Sequence, residues 1–218
     1  MLKQDRAVRT RRSLVHSAAE AFERYGYAQA RLTDISSSAG VSPGALHFHF
    51  ENKAAVAATV EATAAESLRR SAWTAQPPGI NPLQRLTNAS HALADRLRRD
   101  VVARAGFRLS GDASYGPGLN LRKEWEGCVH RLLDEAAGQD LLAEGVDRPD
   151  MVATIVAATT GFEVLGRRNK EWLAPEAITS FWRLMLPCLA SAEALRTLDP
   201  GLPQPGPDGT VPEQEQRP

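Results

Sequence analysis

Cationic side chains are concentrated at the start of the chain, where they could bind phosphate groups. Residues 1–12 contain one acidic side chain, Asp5, against five basic ones. The basic residues are Lys3, Arg6, Arg9, Arg11 and Arg12. Such side chains bind nucleic acids by neutralising phosphates and releasing their counterions. Because the formal net charge of the 218 residues is zero, this positive charge is local. It indicates a phosphate-binding surface or, alternatively, a solvated charge run.

Histidine and cysteine residues do not have the spacing of a metal site. His47 and His49 are two residues apart, so on a helix they point to different sides and make a poor pair of metal ligands. Cys128 and Cys188 are far apart and form no metal-type cluster. We therefore expect no metal and no cofactor, and two reduced thiols in a cytoplasmic protein.

Potential catalytic residues are equally scattered. Glu124 and Glu126 are two apart on a predicted helix and cannot face each other. A hydrolase could be assembled from Ser110, Asp112 and His130 only by choosing freely among distant residues. We therefore predict that the protein is not an enzyme. Without a signal-peptide pattern or a long apolar span, we expect neither secretion nor membrane insertion, but a cytoplasmic protein that joins the nucleoid when bound to DNA.

The stretch from Leu32 to Lys53 supplies the elements that could present such cationic groups to DNA. Two short apolar-periodic segments are separated by Gly40, which suits a turn with positive φ. Ser42 can cap the second segment, and Pro43 suits its first helical position. This pattern predicts a helix-turn-helix whose second helix, residues 43–49, could enter a DNA major groove. An ordinary helical hairpin in a protein core would give a similar pattern.

The string DISSSAGVSPGALHFHFENK resembles the DNA-binding signature of the TetR family of one-component repressors. The matching residues are Asp34, Ile35, Ala39, Gly40, Val41, Ser42, Gly44, His49, Phe50 and Lys53. Within that family, GALHFHF and a later RAGFRL followed by EW are similar to the γ-butyrolactone receptor branch of actinomycete signalling repressors. The resemblance implies an all-α fold, with an N-terminal three-helix helix-turn-helix domain and a larger C-terminal helical domain for ligand binding and dimerisation.

The resemblance also implies which residues contact DNA. They are Arg31, Thr33, Ser42, Pro43, Gly44, Ala45, His47, His49 and Lys53. Glycine and alanine would let the backbone approach DNA closely. Arg31 stands where the family usually has a capping threonine, so it can neutralise a phosphate but cannot cap in the same way. His47 replaces a phosphate-contacting tyrosine, and an imidazole can donate a similar hydrogen bond.

Apolar periodicity and breaker residues predict the other helices. We expect a mobile basic arm over residues 1–8 and a first helix from about Arg9 to Tyr25, ended by Gly26. Later helices are expected from Lys53 toward Arg70, across Leu83–Leu97, Val101–Leu109, Leu119–Ala137, Asp147–Arg168 and Pro175–Leu195. The predicted units are a DNA-binding domain (1–53), a ligand-binding and dimerisation domain (54–198) and a disordered tail (199–218).

The predicted effector site centres on Trp125. A tryptophan on an apolar helix face is usually core packing, but the resemblance places Trp125 at the tryptophan that covers the ligand in the butyrolactone branch. An indole offers a flat apolar wall and one N–H donor, which suits a lactone with an alkyl tail. The predicted ligand-binding residues are Trp125, Phe107, Leu86, Val129, Thr159 and Phe162.

The last two predicted helices are apolar around much of their circumference. Such helices must bury more than one face, so we expect a homodimer in which they form a four-helix bundle with their mates; they could instead be central core within one chain. Together these features predict a repressor that binds a palindromic operator as a dimer, is released by a small molecule such as a γ-butyrolactone, and regulates antibiotic biosynthesis. The alternatives are a sensor of a furan or an antibiotic, a helical ligand-binding protein, or a lactone hydrolase without DNA function.

Overall fold

The computed structural model describes residues 2–74, 79–116 and 118–201, and within them the chain folds into ten α-helices and one 3₁₀ turn. The helices are α1 (Leu2–Gln29), α2 (Leu32–Ser38), α3 (Pro43–His49), α4 (Lys53–Thr74), α5 (Pro82–Arg99), α6 (Val101–Leu109), α7 (Leu121–Ala137), α8 (Arg148–Gly166), α9 (Pro175–Leu189) and α10 (Ala192–Leu195); the 3₁₀ turn is Lys170–Leu173. The predicted all-α class is confirmed. No helix of these ranges is long and apolar enough to cross a lipid bilayer.

The helix-turn-helix forms as its local signals predict. Gly40 adopts a positive φ of 69° between α2 and α3. The Ser42 hydroxyl accepts a hydrogen bond of 3.2 Å from the Ala45 N–H, and Pro43 occupies the first turn of α3. Leu46 and Phe50 are buried in an N-terminal core to which α1, α2, the first half of α4 and α6 also contribute. The short helix α3 is therefore held by its apolar side in a core that other helices share.

The expected mobile arm over residues 1–8 is wrong, because α1 already begins at Leu2. No glycine or proline interrupts this segment, and leucine, lysine, glutamine, arginine and alanine all favour a helix. The predicted break at Gly26 is confirmed by its non-helical φ and ψ of 77° and 172°. The Tyr27 N–H, which the break leaves without a helical partner, donates to Asp112 Oδ2 at 2.8 Å.

A second core fills the larger C-terminal part, and two helices belong to both cores. In α4, Val60 is buried in the N-terminal core and Ala64 in the C-terminal core. In α6, Leu109 faces the first core and Phe107 the second. The boundary predicted between residues 53 and 54 therefore falls at the start of a helix that both cores share, and the split into two domains remains a prediction.

The single helix predicted over Pro175–Leu195 is wrong, because α9 ends at Leu189 and α10 is separate. Ala190 is extended and pairs with Leu142 in an isolated β-bridge. The neighbouring Ser191 donates its N–H to the Leu141 carbonyl at 2.8 Å, and its hydroxyl caps α10. Hydrogen bonds to a distant loop thus replace the next helical turn.

The predicted disordered tail begins with three described residues, of which Asp199 and Pro200 contact α5. The Gln84 side chain pairs with the backbone N–H and carbonyl of Asp199 at 2.8 and 3.0 Å. His91 Nε2 lies 2.9 Å from the Pro200 carbonyl, and burial lowers the pKa of this imidazole although the carbonyl and Asp199 raise it. The rest of the predicted tail, residues 202–218, lies outside the described residues.

Candidate DNA interface and effector site

The predicted DNA-binding residues lie on an accessible surface around α3. None of the nine is buried: Arg31, Thr33, Ser42, Pro43, Gly44 and His47 are exposed, and Ala45, His49 and Lys53 are partly exposed. The structure therefore places these residues around one helix-turn-helix. Their contacts with DNA stay a prediction.

Phe48 is a residue of this surface that sequence reasoning missed. Its side chain is 82% exposed. It lies between His47, which is exposed, and His49, which is partly exposed, whereas Leu46 on the other side of the helix is buried. The ring makes an edge contact with the His49 imidazole at 5.3 Å between centroids. The signal in the sequence was the spacing from Leu46, because two residues along a helix turn a side chain about 160° away from the buried side.

The start of α2 shows the consequence of Arg31 at the capping position. Arg31 has extended backbone angles but makes no side-chain capping bond. The nearby Thr33 hydroxyl donates to Asp34 instead, at 3.3 Å. The expected loss of the cap is confirmed, and the Arg31 side chain is exposed to solvent.

Lys53 has a structural role that the sequence did not predict. Its ammonium donates to the carbonyls of Tyr27, Ala28 and Ala30 at 2.9, 3.2 and 3.2 Å, and it lies 4.6 Å from the centre of the Tyr27 ring. These carbonyls lie at the end of α1, where the last carbonyls of a helix have no N–H donor within the helix. Lys53, which follows the Asn52 cap of α4, therefore ties the end of α1 to the start of α4.

Replacing Lys53 by methionine is expected to lower the melting temperature by about 3–6 °C, since hydrogen bonds to a charged group contribute about 1.5 kcal/mol or more. The phosphate contact predicted from the sequence is tested separately. Its loss should reduce the slope of log binding constant against log salt concentration by about one unit. Lys123→Met, at an exposed lysine in the first turn of α7, is the matched control. A Lys53→Met protein that melts like the wild type would contradict the structural role.

A buried carboxylate joins α4 to the loop between α6 and α7. Glu61 is 1% exposed and accepts hydrogen bonds from the Leu119 N–H at 3.0 Å and the Ser110 hydroxyl at 3.3 Å. Burial raises the pKa of Glu61, although hydrogen bonds from Tyr115, Leu119 and Ser110 lower it. Burial, followed by the Glu61 charge, also raises the pKa of Tyr115. Movement of this loop must therefore move α4 or expose a buried acid.

The same loop is connected to α1. Tyr115 packs against Tyr27 with ring centroids 5.0 Å apart, and Asp112 accepts from the Tyr27 N–H. Burial raises the pKa of Asp112, but hydrogen bonds from Ser114 and Tyr27 and the Arg108 charge hold it below its usual value. On α6, Arg108 donates to the carbonyl of Glu23. The loop and α6 thus connect the C-terminal core to α1.

The predicted effector residues converge in the C-terminal core. Leu86, Phe107 and Val129 are buried members of that core, and Trp125 and Phe162 pack against it. Thr159 is buried, and its hydroxyl accepts the Trp125 indole N–H at 2.8 Å while donating to the Ile155 carbonyl at 2.8 Å. Five of the six therefore belong to this core or pack against it, and Thr159 is joined to it through Trp125.

Trp182 on α9 is a second indole with an N–H donor. Its side chain is fully buried, and its indole N–H has no hydrogen-bond partner among the described residues. Leaving such a donor unpaired costs about 1–3 kcal/mol. A ligand oxygen that reached this part of the core would recover that cost.

Three surface depressions of the described chain lie away from these residues. Three depressions of about 450, 480 and 600 Å³ run along α1 and α6 and are lined mainly by charged and hydroxyl side chains. None of the six predicted effector residues lines them. Within the described ranges, no three histidine, cysteine or acidic side chains are grouped to hold a metal ion.

Large apolar side chains are exposed on the last part of the chain. They are Val164 and Leu165 of α8, Trp172 of the 3₁₀ turn and Leu184 of α9, and we call them the α8–α9 face. Leu184 is 74% exposed. Beside them, Phe162 and Phe181 join the two helices by an edge contact at 5.7 Å. Both helices therefore bury one side in the core and leave large apolar side chains uncovered within the described part of the chain.

Comparisons with known proteins agree with this architecture. A family model described as "Bacterial regulatory proteins, tetR family" matches residues 14–60. The A-factor receptor protein of Streptomyces griseus is 30% identical over 203 residues, covering 92% of this chain and 71% of the relative.

Two solved structures are similar over most of their length. A gamma-butyrolactone receptor described as ArpA-like is 26% identical, with a TM-score of 0.74 over 87% of this chain and 92% of that chain. CprB of Streptomyces coelicolor, solved in complex with its biological operator sequence, is 27% identical, with a TM-score of 0.74 over 88% and 93% of the two chains.

Proposed function

We propose that this chain, which belongs to the TetR family of bacterial regulatory proteins, is a repressor that binds a palindromic operator as a dimer and is released by a γ-butyrolactone-like molecule. Members of the family are DNA-binding transcriptional regulators and not enzymes. The observation that carries the proposal is the capped, outward-facing helix α3, joined through α4 to a C-terminal core against which Trp125 packs. From the family branch it resembles, we infer that the regulated genes serve antibiotic biosynthesis.

The dimer follows from the size of α3 and from the α8–α9 face. A helix of seven residues spans about 10 Å and reads too few bases for useful specificity. Two copies related by a twofold axis would read a palindrome, and pairing through the α8–α9 face would cover its exposed apolar side chains.

The effector site offers the chemistry that an alkylated lactone needs. Apolar walls from Leu86, Phe107 and Val129 suit an alkyl chain. The unpaired Trp182 N–H can donate to a lactone carbonyl, and the Trp125–Thr159 pair offers a further polar contact. A lactone therefore matches both the apolar side chains and the unpaired donor of this core.

Release from DNA requires that the effector prefer a second conformation. Changing a population from 1:99 to 99:1 takes about 5.5 kcal/mol of differential binding. Insertion of a ligand beside Phe107 would push on α6, the helix that carries this side chain. Because Glu61 binds the loop after α6, that displacement would also move α4. Movement of α4 would change the distance between the two α3 helices of the dimer.

Two measurements test the proposal. Selection from a random double-stranded DNA library should recover a palindrome, and the complex should weaken as salt concentration rises. Exposure of the purified protein to actinomycete culture extract, followed by mass spectrometry of the retained compound, should identify a γ-butyrolactone. Recovery of a furan or an antibiotic would assign a different effector, and failure to select any DNA sequence would refute the repressor.

His47→Tyr, which introduces the residue that the family usually has, is expected to preserve or strengthen operator binding. A phenol on this exposed position can donate to the same phosphate as the imidazole. His47→Phe keeps a ring but removes the donor, so it should bind several-fold more weakly. Fluorescence anisotropy with a labelled operator compares the three proteins; a large loss in His47→Tyr would show that histidine makes a contact of its own.

A further inference from the structure

Phe48 is unusually exposed for a side chain that has no polar atom. It is the most exposed large apolar side chain among the residues whose exposure is described, at 82%. Exposing a phenylalanine forgoes the hydrophobic stabilisation that burial would give. The same helix buries Leu46 and the adjoining Phe50, so the chain could have supplied a polar residue here without loss to the core.

The position of Phe48 on α3 points it away from the protein. Successive residues of an α-helix are rotated by about 100°, so both Gly44 and Phe48 lie about 160° around the helix from buried Leu46. Gly44 and Phe48 are four residues apart and are therefore neighbours on this outward side. A side chain on Gly44 would meet only the Ser42 hydroxyl, at 3.9 Å, so the outward side of α3 is open at Gly44.

A phenyl ring limits what Phe48 can contact on DNA. It has no charge or hydrogen-bond donor and cannot bind a phosphate as Arg31 or His47 could. In the major groove, the C5-methyl group of thymine is the apolar feature that base edges present, and phenylalanine is among the side chains that contact it. A ring held against His49 at 5.3 Å is also partly pre-positioned for such a contact.

We propose that Phe48 is a specificity-determining residue that selects thymine in each operator half-site by packing on its C5-methyl group. This inference rests on the proposed function, because it requires α3 to enter the major groove. It assigns sequence preference to an apolar contact, whereas the residues predicted from the sequence are mainly polar or small.

The test removes single methyl groups from the DNA. Each thymine of the selected operator is replaced in turn by deoxyuridine, which keeps the base pair and lacks only the C5-methyl. For the wild-type protein, deoxyuridine at one particular position of a half-site should lower the affinity about fourfold. Deoxyuridine at that position in both half-sites should lower it about fifteenfold, as expected for the loss of one buried methyl group in each. Phe48→Ala should bind the thymine operator correspondingly more weakly and show no further loss with deoxyuridine.

Two further variants make the result specific to this side chain. Phe48→Leu keeps an apolar surface and should retain part of the methyl preference. Tyr25→Ala removes an exposed aromatic ring from a different helix, α1. The affinity of this variant should be as sensitive to deoxyuridine as that of the wild type. Because Phe48 is outside the core, unchanged melting of Phe48→Ala checks that the fold is intact.

Equal deoxyuridine sensitivity in the wild type and Phe48→Ala would overturn the inference, as would unchanged affinity of Phe48→Ala. A loss of affinity in Phe48→Ala without any deoxyuridine effect would also overturn it, and would place the ring on deoxyribose. Failure to select any operator is a different result, since it refutes DNA recognition by the protein as a whole.

Discussion

Leu184→Arg is expected to convert the proposed dimer into monomers and to weaken binding to the proposed operator by at least about 100-fold. Leu184 is the most exposed apolar side chain of the α8–α9 face, and a buried interface that contains an unpaired charge is strongly destabilised. Linking two DNA-binding units raises affinity by about 10²–10⁴ over one unit, so loss of the dimer removes that factor. Sedimentation velocity and anisotropy with the palindromic operator measure the two effects.

Leu119→Arg is the matched control for this change. Leu119 is an exposed leucine in the loop before α7, so the same substitution there should leave a dimer with wild-type operator affinity. Because Leu184 lies outside the core, Leu184→Arg should keep the melting behaviour of a folded helical chain. A stable wild-type monomer at micromolar concentration would contradict the dimer, and a dimeric Leu184→Arg would place the interface elsewhere.

The structure also changes which substitution tests the interface. Phe162 and Phe181 would be natural choices from the sequence, since both belong to the strongly apolar helices. In the structure they are partly buried and contact each other at 5.7 Å, so a charge on either would damage the chain itself. Leu184 separates loss of the dimer from loss of the fold.

Local sequence signals were sufficient for much of the helix-turn-helix. Ser42 and Asn52 each cap a helix by accepting a hydrogen bond from the backbone N–H three residues later. Gly40 occupies a turn that requires a positive φ. The bounds of α3 and α6 match the sequence prediction for the same reason, since caps, breakers and apolar spacing lie within a few residues of each helix end. Family resemblance supplied the DNA-binding role.

Contacts between distant segments could not be predicted in this way. Lys53 binds carbonyls 23 to 26 residues earlier, and Asp112 binds the N–H of Tyr27 across 85 residues. No periodicity in the sequence records which carbonyl lacks a partner or which loop reaches it. The unpaired N–H of Trp182 is a further case, because an apolar stripe predicts burial of an indole but not the absence of an acceptor.

Trp125→Ala is expected to hold the repressor on its operator at effector concentrations that release the wild type completely. Trp125 is partly exposed and packs on the edge of the C-terminal core, with its N–H bound to Thr159. Removal of the ring would take away the apolar wall that the effector needs, while α1 to α4 would keep their contacts. Operator release followed by anisotropy during titration with an alkylated γ-butyrolactone measures the effect.

Thermal melting separates the two roles that Trp125 could have. A fully packed tryptophan costs about 3–5 kcal/mol on truncation, whereas a ring at the partly exposed edge of the core should cost less. A variant that melts far below the wild type and binds DNA poorly would assign Trp125 to the core. One that melts normally and still releases DNA at the wild-type effector concentration would exclude it from both roles.

Trp125→Phe and Trp182→Phe then distinguish the ring from its N–H donor. Trp125→Phe keeps most of the apolar wall and loses a donor that already has Thr159 as its acceptor, so it should respond to effector nearly as the wild type does. Trp182→Phe loses the donor that has no partner within the described chain, so it should need about tenfold more lactone, the equivalent of about 1.4 kcal/mol. The opposite ranking would show that the lactone carbonyl is held at Trp125 and that the buried Trp182 N–H does not contact the effector.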